Sequence, residues 1–199
     1  MPKLQVIVGS TRPTRAADLV VPWVLDRARK HGAFDVELLD LRDWPLPMFE
    51  EHVGTIGDFS NPTYSAPIVR DWNRKVKEGD AFLVITPEYN HSVPGVLQNA
   101  TDWASRPGMT SPLAGKPAGI MGASIGVLGT ARGQQQLKLV LMSTLSLVMP
   151  HAGVVIGQAK EKFDAAGTLT HEPTRQFVAA YLKALEAWTR RVAIASPVR

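Results

Sequence analysis

The chain has 199 residues, 45% of them hydrophobic and 20% charged, which suffices for one globular unit with a full core. With 22 basic and 18 acidic side chains the formal charge is +4, a modest excess that favours anionic ligands, and no Lys/Arg run or basic helix face marks a nucleic-acid partner. There is no cysteine, which excludes disulfides, zinc–thiolate sites, iron–sulfur clusters and thiol catalysis and fits a cytoplasmic protein.

The chain enters a strand at Leu4–Val8, which leaves no room for a signal peptide, and no apolar run reaches the ~18 residues that span a bilayer. Ala16–Lys30 reads as a helix, with Leu19, Val20, Trp23, Val24 and the stem of Arg27 at helical spacing. Val36–Leu41 is a second strand. Arg42–Ala66 has no clean period, carries prolines together with Trp44, Met48 and Phe49, and is expected to be a functional loop or a contact surface. Ser65–Lys77 is the second helix, ended at Gly79. Asp80–Thr86 is apolar without alternation, as a strand buried on both faces should be. Val93–Trp103, with Pro94 near its start, is the third helix. Pro117–Ala123 is a strand and Thr130–Leu145 a helix. Leu147–Ile156 is a fifth strand, interrupted near Pro150. Thr174–Val192 is the last helix, residues 1–192 form a single unit, and residues 193–199 form a tail.

Strands alternating with helices in this way predict an α/β fold with a parallel, doubly wound sheet. Ligands of such sheets bind at the carboxyl ends of the strands beside the topological switch point, so the loops after strands one, three and four are read together. The first, Gly9-Ser10-Thr11-Arg12-Pro13-Thr14-Arg15, stacks anion donors. It offers backbone N–H groups of a turn and a helix start, the hydroxyls of Ser10, Thr11 and Thr14, and the guanidiniums of Arg12 and Arg15. A terminal phosphate monoester suits it better than a bridging pyrophosphate.

The second loop, Thr86-Pro87-Glu88-Tyr89-Asn90-His91-Ser92-Val93-Pro94-Gly95, is stiffened by proline. It pairs an aromatic face with polar backbone, which suits a flat heteroaromatic ring. The third, Gly122-Ala123-Ser124-Ile125-Gly126-Val127-Leu128-Gly129-Thr130, lets a large group approach the backbone. It also spells G-x-S-x-G, the nucleophile-elbow pattern, with Asp164 or Glu161 and then His171 following in triad order. Against a hydrolase, the glycines delay the helix to about Thr130, and no HGGG-like oxyanion segment precedes. No Walker motif and no G-x-G-x-x-G occurs, and His31, His52, His91, His151 and His171 are scattered without metal-ligand spacing. His91, in the ring loop, is the one candidate proton donor. Together the loops describe a mononucleotide with a large aromatic base, and FMN fits best.

The G-S-T-R-P-x-R opening (Gly9–Arg15) and the P-E-Y-N-x-S-x-P-G block (Pro87–Gly95), followed by Leu97, Gln98, Asn99, Ala100, Asp102 and Trp103, resemble the NADPH-dependent FMN reductase family over residues 4–157. The resemblance implies a flavodoxin-like, five-stranded sheet of order 2-1-3-4-5 with helices on both faces. It implies FMN phosphate at Ser10 and Arg12, with Arg15 where many members have serine. It places the flavin edge at Pro87, Glu88, Tyr89 and Asn90, largely through backbone groups, and Ser124 and Gly126 near the ring. It implies NADPH or NADH as co-substrate and ping-pong hydride transfer through the flavin to a quinone, free flavin, azo compound or metal oxyanion. The flavin carries the reaction, so no catalytic side chain is named. A homodimer or homotetramer with the flavin near the interface is also implied, and Trp44–Phe49 is a candidate surface for it. The alternatives are an FMN-binding electron carrier and, last, a serine hydrolase using Ser124.

Overall fold

The computed structural model describes residues 1–195 apart from 53, 59, 60 and 107. The first strand, β1 (Lys3–Val8), leads through the glycine loop into α1 (Ala17–His31). That helix stops at Gly32, whose φ of 75° is the left-handed conformation that closes a helix C-terminus. Then come β2 (Asp35–Asp40), α2 (Pro67–Lys77, with proline at its first turn), β3 (Ala81–Thr86) and α3 (Gly95–Ala104). The chain closes with β4 (Pro117–Ala123), α4 (Ala131–Ser143), β5 (Leu147–Val148), β6 (Val154–Ile156), a short α5 (Ala159–Lys162) and α6 (Glu172–Ala195).

The strand order is β2-β1-β3-β4-β5, all parallel, with β6 also paired to β4. The expected five-stranded order is therefore present, but its last position is shared. Leu147–Val148 pairs with Pro117–Ala118, and Val154–Ile156 pairs with Met121–Ala123. The chain leaves the ladder at Pro150, which has no N–H to give. Over the gap, the N–H of Ile120 donates to the Tyr181 hydroxyl on α6 at 2.7 Å. Two other bounds differ from expectation. The last helix starts at Glu172 and runs on to Ala195, so the expected tail is helical for its first three residues, and its remainder, 196–199, lies outside the described residues. The four-residue α5 has too little periodicity to be read from sequence.

Alternation along the strands sends side chains to two cores. Leu4, Val6 and Val8 of β1 and Leu83 and Ile85 of β3 pack with Val20 and Val24 of α1 and Tyr181 and Leu185 of α6. On the other face Ile7, Phe82, Val84 and Ile120 pack with Trp72 of α2, Leu97 and Trp103 of α3 and Leu137 of α4. Covered on both faces, β3 is buried along its whole length. The register sets Val8 beside Ile85 and Thr86 beside Gly122, so the loops after β1, β3 and β4 leave the sheet at one edge. The order reverses between β1 and β3, and that is the switch point.

The irregular segment after β2 is strapped to α3. The Pro47 carbonyl accepts from Asn99 Nδ2 and Trp103 Nε1, each at 2.8 Å, and Asn99 Oδ1 accepts from the Phe49 N–H. Trp44 packs edge-on against Trp72 and Phe49 against Trp103. The aromatics of Trp44–Phe49 thus serve the second core, while Met48 stands 77% exposed. No helix among the described residues is long and apolar enough to cross a membrane.

Candidate functional site

At the switch point the chain forms a cavity of about 180 Å³. Ser10, Arg12, Thr14, Arg15, Tyr89 and Ser124 are among the residues that line it, with Pro87 and Glu88. The loop after β1 extends the ladder by one bond, Gly9 N–H to Ile85 C=O, and then turns away. A Cβ on Gly9 would sit 2.6 Å from Leu97 Cδ2, so glycine is what lets α3 close on the loop. Beyond it, the N–H groups of Thr11, Arg12, Thr14 and Ala16 have no hydrogen-bond acceptor among the described residues. The residue capping α1, Ala16, supplies no side-chain acceptor either. Thr14 has φ of 54°, a left-handed conformation that a β-branched residue rarely adopts. Unpartnered donors at a helix start, held in a strained turn, have the chemistry that suits an anion.

Ser10 is 1% exposed, and its hydroxyl meets the Tyr89 hydroxyl at 2.8 Å. Arg12 is exposed, with its guanidinium carbon 5.5 Å from the centre of the Tyr89 ring. Arg15 behaves differently from the expected phosphate ligand. Its side chain is 6% exposed and its donors are already committed. They go to both carboxylate oxygens of Asp40, to Asp18 Oδ1 and to the Ser10 carbonyl. Asp40 raises the Arg15 pKa above its ordinary value. Burial pulls the Asp40 pKa upward, but its bonds from Arg15 and from the Arg42 N–H outweigh this and hold it below the usual carboxylate range. The partner that claims Arg15 lies 25 residues away in sequence, which is why spacing alone gave no sign of it.

In the second loop, Tyr89 and Ser92 exchange backbone bonds across Asn90 and His91, whose φ values are 50° and 62°. This is the tight turn in which both central residues are left-handed. Glu88 Oε2 accepts from the N–H groups of Arg132 and Gly133, each at 2.9 Å, and so caps α4. The carboxylate is occupied there; Pro87, Glu88 and Tyr89 line the cavity, whereas Asn90 and Gly126, also expected at the ring, are not among its lining residues. Sequence reasoning missed this cap. The signal was the small residue Gly133, where a Cβ would lie 3.2 Å from the Ser92 carbonyl. His91 Nε2 contacts Arg132 Nη1 at 3.2 Å.

In the third loop, Ser124 Oγ accepts from the Gly126 N–H at 3.0 Å. The triad geometry is missing: His171 bonds Thr174, Asp164 accepts from the N–H groups of Ala166 and Thr168, and α4 begins seven residues after Ser124. Gly129 has φ of 62° and would place a Cβ 2.0 Å from Val155, so the loop is built down onto β6.

Residues 2–161 match the family model described as NADPH-dependent FMN reductase. The chain belongs to that family. It is an FMN-using, NAD(P)H-dependent oxidoreductase with a flavodoxin-like fold. It is 40% identical over 159 residues to an NAD(P)H-dependent FMN reductase of Pseudomonas aeruginosa, covering 79% of this chain and 80% of the relative. It is 32% identical over 188 residues to a 2-hydroxy-1,4-benzoquinone reductase of a Burkholderia species, covering 94% and 96%. Among solved structures, the flavoenzyme NAD(P)H:acceptor oxidoreductase FerB of Paracoccus denitrificans superposes with a TM-score of 0.79 at 30% identity, covering 96% of this chain and 98% of that one.

Proposed function

We propose that this chain passes reducing equivalents from NADH or NADPH to a small acceptor in two half-reactions at one site, with quinones foremost among the acceptors. The observation that carries the reading is the group of unpartnered N–H donors at Arg12, Thr14 and Ala16, residues that line the same cavity as the ring loop. The donor set fits FMN. Ser10, Arg12 and the loop N–H groups take its terminal phosphate, Arg15 shapes the loop from behind, the backbone of Pro87, Glu88, Tyr89 and Asn90 meets the ring edge, and Ser124 and Gly126 leave room beside it. FMN, when bound, supplies the hydride chemistry. The chain's own work is to hold the phosphate, stiffen the ring edge through the Glu88 cap and the Asn90–His91 turn, and admit two substrates in turn. The quinone reductases among the relatives support that acceptor class.

The cavity is smaller than the ~300–1,000 Å³ of most ligand sites, which supports a reading in which the phosphate end is enclosed and the ring lies on an open surface. A discontinuous strip of exposed apolar side chains starts at the cavity-lining residue Ile125. Ile125, Val127 and Leu128 are 64%, 76% and 58% exposed, and on α4 Leu139 and Met142 follow at 62% and 60%. We take this strip, in preference to Trp44–Phe49, as the surface on which a second copy closes the site in a homo-oligomer. The setting is the cytoplasm, in keeping with the absence of cysteine.

Anaerobic stopped flow tests the reading. NADH or NADPH bleaches the flavin band near ~450 nm directly, and steady-state rates with a quinone give parallel double-reciprocal lines. If neither nucleotide reduces the bound flavin but a separate reductase does, the protein is an electron carrier. The chain's net positive charge speaks against the acidic docking face that a carrier needs.

A further inference from the structure

The proposed function seats an anion on the loop after β1, and the inference drawn from the residues behind that loop rests on that seat. Two arginines and two aspartates lie there in a closed circuit. Arg15 grips Asp40 with both terminal nitrogens and reaches Asp18 Oδ1 with Nε at 2.9 Å. Asp40 accepts the Arg42 N–H at 3.0 Å, and Arg42 Nη1 returns to Asp18 Oδ1 at 3.1 Å. The circuit touches the loop at two points, and both are carbonyl oxygens: Ser10, held by Arg15, and Arg12, held by Arg42.

That choice of atoms has a geometric result. A trans peptide sends its C=O and N–H to opposite sides. Fastening the Ser10 carbonyl from behind therefore turns the Thr11 N–H away from the circuit, and fastening the Arg12 carbonyl fixes the other flank of the turn. Between the second anchor and Arg15 stands Thr14 in its left-handed conformation, which persists only where its surroundings impose it. The circuit also balances two carboxylates against two guanidiniums, so no net negative charge stands behind the anion.

We infer that Arg15, Asp40, Asp18 and Arg42 are a positioning lattice that sets the N–H groups of the loop for an anion before the anion arrives, with Arg15 acting through the backbone and not on the anion. Asp40 gives the idea its sharpest consequence. If the carboxylate acted only as a charge near the cofactor phosphate, removing it would tighten FMN. As a lattice member its removal frees Arg15 and Arg42, lowers the fraction of molecules with a competent loop, and weakens FMN.

The test is equilibrium quenching of flavin fluorescence by the flavin-free protein, with FMN and riboflavin side by side, on wild type, Asp40→Asn, Arg42→Gln, Arg42→Lys and Arg12→Ala. Thermal unfolding checks that each variant is folded. Asp40→Asn and Arg42→Gln are expected to raise the FMN dissociation constant roughly tenfold while riboflavin changes by less than about twofold. Arg42→Lys, which keeps the charge without the fork, does not restore binding. FMN binding that tightens or stays unchanged in Asp40→Asn overturns the lattice. So does full rescue by Arg42→Lys, which marks a long-range charge effect. Should Asp40→Asn fail to fold, Arg42→Gln decides alone, since that side chain is at the surface. Arg12→Ala separates the two levels. Equal loss of FMN and riboflavin there removes the phosphate reading itself, whereas selective loss of FMN keeps that reading whatever the lattice variants do.

Discussion

The hydroxyls of Ser10 and Tyr89 lie 2.8 Å apart and join the loop after β1 to the loop after β3, although 79 residues separate them. Ser10 is buried, and Tyr89 is its partner. In the flavin-free protein, Tyr89→Phe leaves a buried hydroxyl unpaired, at a cost of about 1–3 kcal/mol. For a chain of this size that lowers Tm by roughly 2–12 °C. A phosphate on the loop offers Ser10 a new acceptor, so the loss is expected to shrink when FMN is added. Melting curves with and without FMN check this, and an equal loss in both would show that Ser10 does not face the phosphate.

Arg12 is the exposed guanidinium of the loop proposed to hold the phosphate, placed over the Tyr89 ring. A charge-assisted bond to a phosphate contributes about 1.5–3 kcal/mol. Arg12→Ala should weaken FMN by roughly 10- to 150-fold. Riboflavin, which lacks the phosphate, should lose far less. Titration of both flavins against one protein preparation gives the comparison.

The two loops of the candidate site were legible in the sequence as loops because each is a local pattern. Gly9 through Arg15 gathers its donors within seven residues, and the Pro87–Gly95 block carries its own turn. What was not legible depends on pairings that only the sheet creates. Parallel register brings Asp40 at the end of β2 beside Val8, and only then does Asp40 claim Arg15. Glu88 was read at the ring edge through its backbone; what the sequence did not reveal is that its carboxylate lies against the start of α4, some 45 residues on. Pro150 signalled the break in the last strand. The Tyr181 hydroxyl that fills the break comes from a helix whose periodicity reveals only which face is buried, not which atom it meets.

Acid titration gives a signature of the Arg15–Asp40 pair. Asp40 has a folded pKa below its unfolded value near ~3.9. Its contribution to stability is therefore complete above pH ~4 and is lost as pH falls through the lower, folded pKa. Asp40→Asn should be less stable than wild type at neutral pH and should lose less on acidification. The difference between the two proteins narrows below pH ~4. Urea unfolding between pH 2 and 7 measures it, and a difference constant with pH would mean that Asp40 is not the titrating group.

Ser124 accepts a backbone bond from Gly126 and has no histidine at its hydroxyl among the described residues. A fluorophosphonate probe should leave the wild type unlabelled. Ser124→Ala removes the acceptor for one N–H, which costs about 1 kcal/mol and weakens FMN by less than tenfold. NAD(P)H oxidation is reduced and not abolished. Stoichiometric labelling of Ser124, with esterase turnover lost in the mutant, would replace the reductase reading with a hydrolase.

The exposed strip on α4 predicts how assembly and cofactor binding are linked. Leu139 and Met142 are three residues apart, so they share a face of the helix, and both are more than half exposed. Val127 and Leu128, in the loop that carries Ser124, are exposed as well, with exposed Arg132 and Gln135 between them and Leu139, and Ile125 of the same loop lines the cavity. On the proposed assembly, a second copy seated there would bury the strip and cover the ring together. Leu139→Glu with Met142→Glu puts two unpaired carboxylates into that contact, and an uncompensated buried charge costs roughly 3–5 kcal/mol. The dissociation constant of the assembly should rise by at least about 100-fold. Sedimentation at micromolar protein should show monomers, and those monomers should bind FMN more weakly than wild type at the same concentration. Riboflavin and FMN should lose equally, because the missing contact lies over the ring and not at the phosphate. A wild type that sediments as a monomer, or a double variant that stays assembled, would remove this surface from consideration. A variant that dissociates yet keeps wild-type FMN affinity would show that the site is complete within one chain.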